Sequence, residues 1–298
     1  MNAVLCHTAV CDLHSASAVD SAASAGMQCL SGAGVATGDV NVLINVGVYR
    51  ENNIMEPSVA ALIQQKMELN PDPAKNCLQQ RTLSYDLVSG ATGFLNAAML
   101  ANSLLQTGAA SNVLIVAADV HPSGQSQDDF PFSTLGTAVL LQRGGDDGRG
   151  FGPFLFKTAP AGSTVGYSTK GKVSEFGMEG RSHAVFTAEA DCVEQLGAFA
   201  IETARDFLQR NAIAPEQIDI LVASQVARNF PHRLAQQLGL PAHCYAVDLY
   251  EKQGDPHTAA PGACLHHLLQ DGLFQSGKNV LFVSVGSGLS AACALYRA

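Results

Sequence analysis

Leu104-Leu-Gln-Thr-Gly108, followed by Asn112-Val-Leu-Ile-Val116, has a near copy later in the chain: Leu273-Phe-Gln-Ser-Gly277, followed by Asn279-Val-Leu-Phe-Val283. In both, an apolar helix-like run stops at a glycine and a buried strand follows. Glycine suits that point because it adopts the left-handed backbone that closes a helix at little steric cost. Outward from this pair, Asp39-Val-Asn-Val-Leu-Ile44 is matched by Gln217-Ile-Asp-Ile-Leu-Val222, each a polar turn followed by a short β-branched strand. Tyr85-Asp-Leu87 is matched by Val247-Asp-Leu249, each leading through a glycine-containing turn into a helix of small residues. Three matches in one order indicate an internal duplication.

The pattern predicts strands at 2–11, 40–48, 82–88, 112–118 and 135–142 in the first half, with helices at 15–30, 58–68 and 91–107. The second half repeats this with strands at 151–158, 218–225, 244–249, 279–285 and 289–297 and helices at 187–211, 229–238 and 257–275. Apolar strands alternating with helices imply an α/β fold with mainly parallel sheets covered on both faces. The last two strands of each half are adjacent in sequence and should add an antiparallel edge. Two such halves, 1–148 and 149–298, make five layers, α-β-α-β-α. The helices at 91–107 and 257–275, rich in Ala, Gly and Leu, belong in the central layer, where backbones approach closely.

The chain has 298 residues, 47% of them hydrophobic and 14% charged, which favours a compact protein with a large core. A net charge of −9 without a Lys/Arg cluster argues against nucleic acid as a partner. No apolar run reaches the roughly 18–20 residues of a membrane span, and residues 1–10 lack a basic leader region. A cytoplasmic location is expected. The eight cysteines are scattered without a CxxC pair, and His266 and His267 point to different helix faces, so no metal site is expected.

Tyr85-Asp-Leu-Val-Ser-Gly-Ala-Thr-Gly-Phe94 resembles the nucleophile turn of the β-ketoacyl-acyl-carrier-protein synthases III, within the thiolase superfamily. The runs 108–120 and 135–140 resemble the strand and edge strand that follow it. Leu221-Val-Ala-Ser-Gln-Val-Ala227 is similar to that family's His-Gln-Ala-Asn segment, and Gly254-Asp-Pro-His-Thr-Ala-Ala260 to its Gly-Asn-Thr-Ser loop. Val285-Gly-Ser-Gly288 resembles its late glycine-rich loop. The resemblance implies the thiolase-like fold, no tightly bound cofactor, and acyl-coenzyme A or an acyl carrier protein as substrate or partner. It also implies a dimer, a homodimer or a heterodimer with a homologous synthase, with strand 112–118 as the pairing edge.

In that family a Cys attacks an acyl thioester while His and Asn stabilise the developing enolate or oxyanion. The corresponding positions here are Ala91, Ser224 and Asp255. Alanine has no nucleophilic atom and a carboxylate repels an oxyanion, so decarboxylative condensation is not expected. The chain contains no Trp, and its first strand runs almost directly into a helix, without the segment that carries the family's coenzyme-stacking Trp.

A substitute site can be drawn from Ser89 as nucleophile, His257 as base and Asp255 as its orienter. Gly90, Thr92, Gly286 and Gly288 would then form the substrate-binding surroundings. Against this, Ser89 reads equally as a helix cap, His257 as the start of the next helix, and Ser224 as a filler of a polar pocket. Arg228, His232 and Arg233 begin a helix that could meet an acidic carrier protein or simply face solvent. Function therefore divides between an acyltransferase or thioesterase with a non-standard site and a non-catalytic partner subunit. A pocket is expected at the junction of the halves, lined by Ser89, Ala91, Ser224, Asp255 and His257, with His257 its only imidazole; a plugged cavity would leave the partner subunit as the reading.

Overall fold

The structure, a computed structural model, describes residues 1–12, 17–70, 81–125, 127–160, 166–170 and 173–298. The first half contains β1 (Ala3–Cys11), α1 (Ala18–Ala33), β2 (Val42–Asn45), α2 (Val59–Lys66), β3 (Leu83–Asp86), α3 (Gly93–Gln106), β4 (Asn112–Ala117) and β5 (Gly136–Arg143). The second contains β6 (Gly150–Thr158), β7 (Ser168–Lys170), α4 (Val173–Phe176), β8 (Val185–Thr187), α5 (Cys192–Arg210), β9 (Ile220–Ala223), α6 (Phe230–Leu238), β10 (Tyr245–Val247), α7 (Tyr250–Gln253), α8 (Ala260–Gln270), β11 (Asn279–Gly286) and β12 (Ser290–Arg297).

The two large sheets have one design. Strands run β1-β5-β4-β2-β3 in the first and β6-β12-β11-β9-β10 in the second, so every strand has a mate in the other half. Three hydrophobic cores separate the layers. One lies between the sheets and contains α3 and α8, through Phe94, Ala97, Ala98, Ala101, Ala263 and Leu265. A second packs α1 and α2 on the outer face of the first sheet, and a third packs α5 and α6 on the second. This is the thiolase-like α-β-α-β-α arrangement. Small residues let the central helices approach closely: a Cβ on Gly262 would stand 2.7 Å from Thr137 Oγ1.

Local chemistry sets the helix ends. Ser17 and Ser58 cap α1 and α2 by accepting from Asp20 N and Ala61 N, and α1 closes at left-handed Gly34. The Asp86 carboxylate, at the end of β3, accepts from Val59 N at 2.9 Å and Ala60 N at 2.8 Å. It thus supplies negative charge to the start of α2.

Three expectations change. The sheets are mixed: β2 pairs in parallel with β3 and β4, but β5 pairs antiparallel with both β4 and β1. The last strand of each half is therefore not an edge, because β1 or β6 covers it. For the same reason β4, expected to pair between subunits, is enclosed by β5 and β2. The free edge facing away from β1 is β3, where Leu83 is 59% exposed. The helix expected at 187–211 starts at Cys192, because 185–187 pairs with 168–170 as a small antiparallel ribbon. The polar segment 162–177, whose sequence suggests a loop over the cavity or the dimer interface, lies partly outside the described residues. Its Tyr167 does reach the cavity.

Candidate active site

Helices α3 and α8 begin beside each other between the sheets, each through a single 3-10 turn: Gly90–Thr92 and His257–Ala259. The turns are mates under the internal repeat. Both open with a left-handed residue, Gly90 at φ 54° and His257 at φ 48°. Glycine adopts that conformation freely, whereas a histidine there must be held by its surroundings.

The holding group is Asp119, just beyond β4 and fully buried. Its Oδ1 accepts from Val48 N and Tyr49 N, both at 2.8 Å. Its Oδ2 pairs with His257 Nδ1 at 3.0 Å and also accepts from Thr258 N and Thr258 Oγ1. Burial alone would raise the Asp119 pKa, but His257 and these hydrogen bonds outweigh it and lower the value. Burial works against a charged His257, yet the Asp119 carboxylate reverses this and raises the imidazole above its ordinary pKa. The two form a buried carboxylate–imidazole pair. Nδ1 is committed to Asp119, so the free atom is Nε2, which lies 3.9 Å from where a Cβ on Gly90 would stand.

Asp255 has a different role from the one expected. Its Oδ1 accepts from the backbone N of His257 at 2.8 Å, fixing the turn and not the imidazole ring. Burial pushes its pKa up to about 6, partly offset by the neighbouring His257. Ser224 is occupied structurally: its hydroxyl accepts from Val285 N at 3.0 Å and lies 3.2 Å from Val285 O, tying the end of β9 to β11.

Ala91, Ser224, Asp255, His257 and Gly286 line one cavity at the junction, together with Phe132, Tyr167 and Leu196. Gly286 is needed there, since a Cβ on it would approach Ala91 Cβ to 3.2 Å. The cavity volume is about 20 Å³, space for about one water. Phe132 makes it small, stacking on His257 with ring centroids 4.2 Å apart. His257 is the cavity's imidazole; His121 lies beyond Phe130, in the adjoining cleft.

Ser89 does not join this group. Its Oγ lies 3.0 Å from Thr92 Oγ1 and accepts from Asn96 Nδ2 at 3.4 Å, and no hydrogen bond links it to His257. The expected Ser89–His257–Asp255 relay is therefore not assembled: Ser89 is held on its own helix, and the carboxylate on the ring is Asp119. Thr92 donates to Ser89 O at 2.8 Å and supports the turn. Gly90, Thr92 and Gly288 lie outside the cavity lining, while Gly286 is part of it. Sequence reasoning passed over Asp119 although it stood inside a motif-bearing run. The available signal was an acidic residue closing an otherwise apolar strand, a placement that demands a partner. Among the described residues no group of three or more His, Cys, Asp or Glu is placed to hold a metal ion. No described helix is long and apolar enough to cross a membrane.

Residues 208–298 match the model of the 3-oxoacyl-[acyl-carrier-protein] synthase III C-terminal family. The β-ketoacyl-[acyl-carrier-protein] synthase III of Koribacter versatilis is 22% identical, with 94% of this chain and 83% of that protein covered. Among solved structures, 3-oxoacyl-(acyl carrier protein) synthase III of Pseudomonas aeruginosa superimposes with TM-score 0.80 at 18% identity, covering 100% of this chain and 98% of that one. OleA of Xanthomonas campestris, solved with lauric acid and lauroyl-CoA, gives TM-score 0.80 at 17% identity, covering 100% and 99%. The chain is thus similar to the synthases III and shares their thiolase-like fold.

Proposed function

We propose that this chain binds an acyl thioester at the junction of its halves, seats the carbonyl oxygen on His257 Nε2, and passes the acyl group directly to water or another small acceptor. The observation that carries this reading is the buried Asp119–His257 pair. An imidazolium held by a carboxylate is a preorganised donor for the oxygen that becomes negative when a thioester carbon is attacked. Neither Ala91 nor Ser224 serves as nucleophile: Ala91 has no heteroatom and the Ser224 hydroxyl is bound to Val285. In hydrolysis, water oxygen bonds to the carbonyl carbon and His257 N–H stabilises the oxyanion. The C–S bond then breaks, and the thiolate takes up the proton lost by water. Carboxylic acid and thiol result, with no carbon–carbon bond formed. The similarity to β-ketoacyl-[acyl-carrier-protein] synthases III, and the lauroyl-CoA held by the OleA structure, support acyl-coenzyme A or acyl carrier protein as the source. Entry requires Phe132 to leave the face of His257, because the cavity as it stands admits about one water.

The test combines thiol release with intact-protein mass spectrometry on acyl-CoA and acyl carrier protein. Expected are slow release, no stable acyl adduct, and roughly 10²–10³-fold slower release in His257→Gln, as for loss of one oxyanion donor. Absence of both binding and release with either thioester would overturn the reading.

The second reading, a non-catalytic partner of a homologous synthase, is favoured by the small cavity and the exposed β3 edge. Pairing that edge in a homodimer or heterodimer would remove an open strand ladder. Leu83→Asp should then convert dimer to monomer in light scattering; an unchanged mass would exclude β3 as the contact.

A further inference from the structure

Asp255 has one oxygen that the fold does not use. Its Oδ1 fixes the turn by accepting from His257 N at 2.8 Å. A carboxylate can accept about four hydrogen bonds, yet no described residue donates to Oδ2. That oxygen is not one of the buried atoms sealed in without a partner, so it keeps accessible surface. Asp255 is only 7% exposed and lines the junction cavity, so that surface opens into the cavity. His257 Nε2 is open in the same way, and the two residues stand two positions apart on one turn.

The structural task does not account for the charge. A carboxylate is costly to bury, and an asparagine oxygen would hold His257 N without that cost. Burial pushes the Asp255 pKa up to about 6, with His257 offsetting the rise and the Asp119 carboxylate adding to it. A carboxylate of that basicity is ionised near neutral pH and still takes a proton readily. Tyr167, also in the lining, keeps its proton, because burial raises its phenol.

We infer that Asp255 Oδ2 is the general base that activates the attacking water beside His257. The inference rests on the hydrolytic reading above. Oδ2 takes a proton from water as the water oxygen bonds to the carbonyl carbon, and the oxyanion forms on His257 Nε2–H. The C–S bond then breaks, and the departing thiolate takes that proton from Asp255, restoring the carboxylate. A fixed negative charge would repel the oxyanion. Here the carboxylate is neutralised in the same step that creates it.

The test compares the full-length chain with Asp255→Asn and His257→Gln on both thioesters, following thiol release against pH. The wild-type rate should rise as pH climbs through about 6. Asp255→Asn should lose that limb and slow release by roughly 10²–10⁴-fold, without a lower thermal midpoint. Hydroxylamine attacks thioesters without help from a base. Corrected for its uncatalysed reaction, it should bring Asp255→Asn close to the wild-type rate, read as acyl hydroxamate. It should not rescue His257→Gln, which still lacks the oxyanion donor. The inference is overturned, with the hydrolytic reading intact, if Asp255→Asn keeps wild-type release and its pH limb, or if hydroxylamine fails to rescue it. Absence of release from the wild type removes the hydrolytic reading and the base together.

Discussion

The turn Gly90–Thr92 and its repeat mate His257–Ala259 have the same backbone, the same left-handed first residue and the same place at the start of a central helix. Their surroundings differ. In the sheet register Asn112 corresponds to Asn279, so Asp119 and Gly286 are mates as well. Each reaches the turn of the opposite half: Gly286 packs against Ala91, and Asp119 binds His257 and Thr258. One junction is apolar contact and the other a buried charge pair. Duplication supplied a symmetric frame, and the chemistry sits in the asymmetry.

The comparison breaks most sharply on removal of Asp119. Asp119→Ala leaves a buried imidazole, the Thr258 hydroxyl and three backbone N–H groups without their acceptor, and should cost about 3–5 kcal/mol in denaturant unfolding. Its mate has no such dependence. Gly286→Ala adds only a methyl group at Ala91 and should cost about 1–3 kcal/mol, the usual range for overpacking. A loss at Gly286 matching that at Asp119 would refute the contrast.

Asp255 sharpens it through pH. A carboxyl whose folded pKa is raised to about 6 from 3.8 binds its proton more tightly when folded. Its contribution is fully present below 3.8 and is lost as pH rises through about 6. Asp255→Asn keeps an oxygen for His257 N and should stabilise the protein at pH 8 by up to about 3 kcal/mol, with the gain fading towards pH 4. The Asp119–His257 pair shows opposite limits. The raised His257 contributes below 6.5 and loses that contribution as pH climbs through its folded value. The lowered Asp119 contributes above 3.8 and loses its contribution as pH falls through its folded value. Asp119→Asn should therefore cost most between these limits. The smallest effect belongs to Gly90→Ala, which places a Cβ at φ 54° and should cost about 1 kcal/mol. Full tolerance there would show that the Gly90 turn relaxes where the His257 turn is held.

Much of this frame was legible in the chain. The paired glycine-ended helices and buried strands placed every main strand beside its true mate, and four residues expected at the junction do line one cavity. What failed depended on partners distant in sequence. Whether β4 is an edge depends on where β1 lies, and β1 is almost as apolar as β4, so periodicity could not rank them. Ser89 was expected to face the site because alternate residues of an extended segment share a face. The chain turns at Gly90 first, and Thr92 and Asn96 hold the hydroxyl. Asp119 stood in a motif-bearing run, but its role was not readable there, since its partner is 138 positions away.

The central core also bears on how the chain folds as it is made. Leu5 N donates to the Tyr296 hydroxyl, and Thr8 Oγ1 lies 3.1 Å from His266 Nδ1, so β1 is finished by residues made far later. A chain still emerging from the ribosome can form α1 and α2 on the outer face of the first sheet early. Its inner face must wait for α8 and β12. Such closure between sequence-distant segments is slow, and a half-made chain exposes apolar sheet meanwhile. Chaperone dependence during synthesis should therefore concentrate in the interval between completion of β5 and arrival of the final strand.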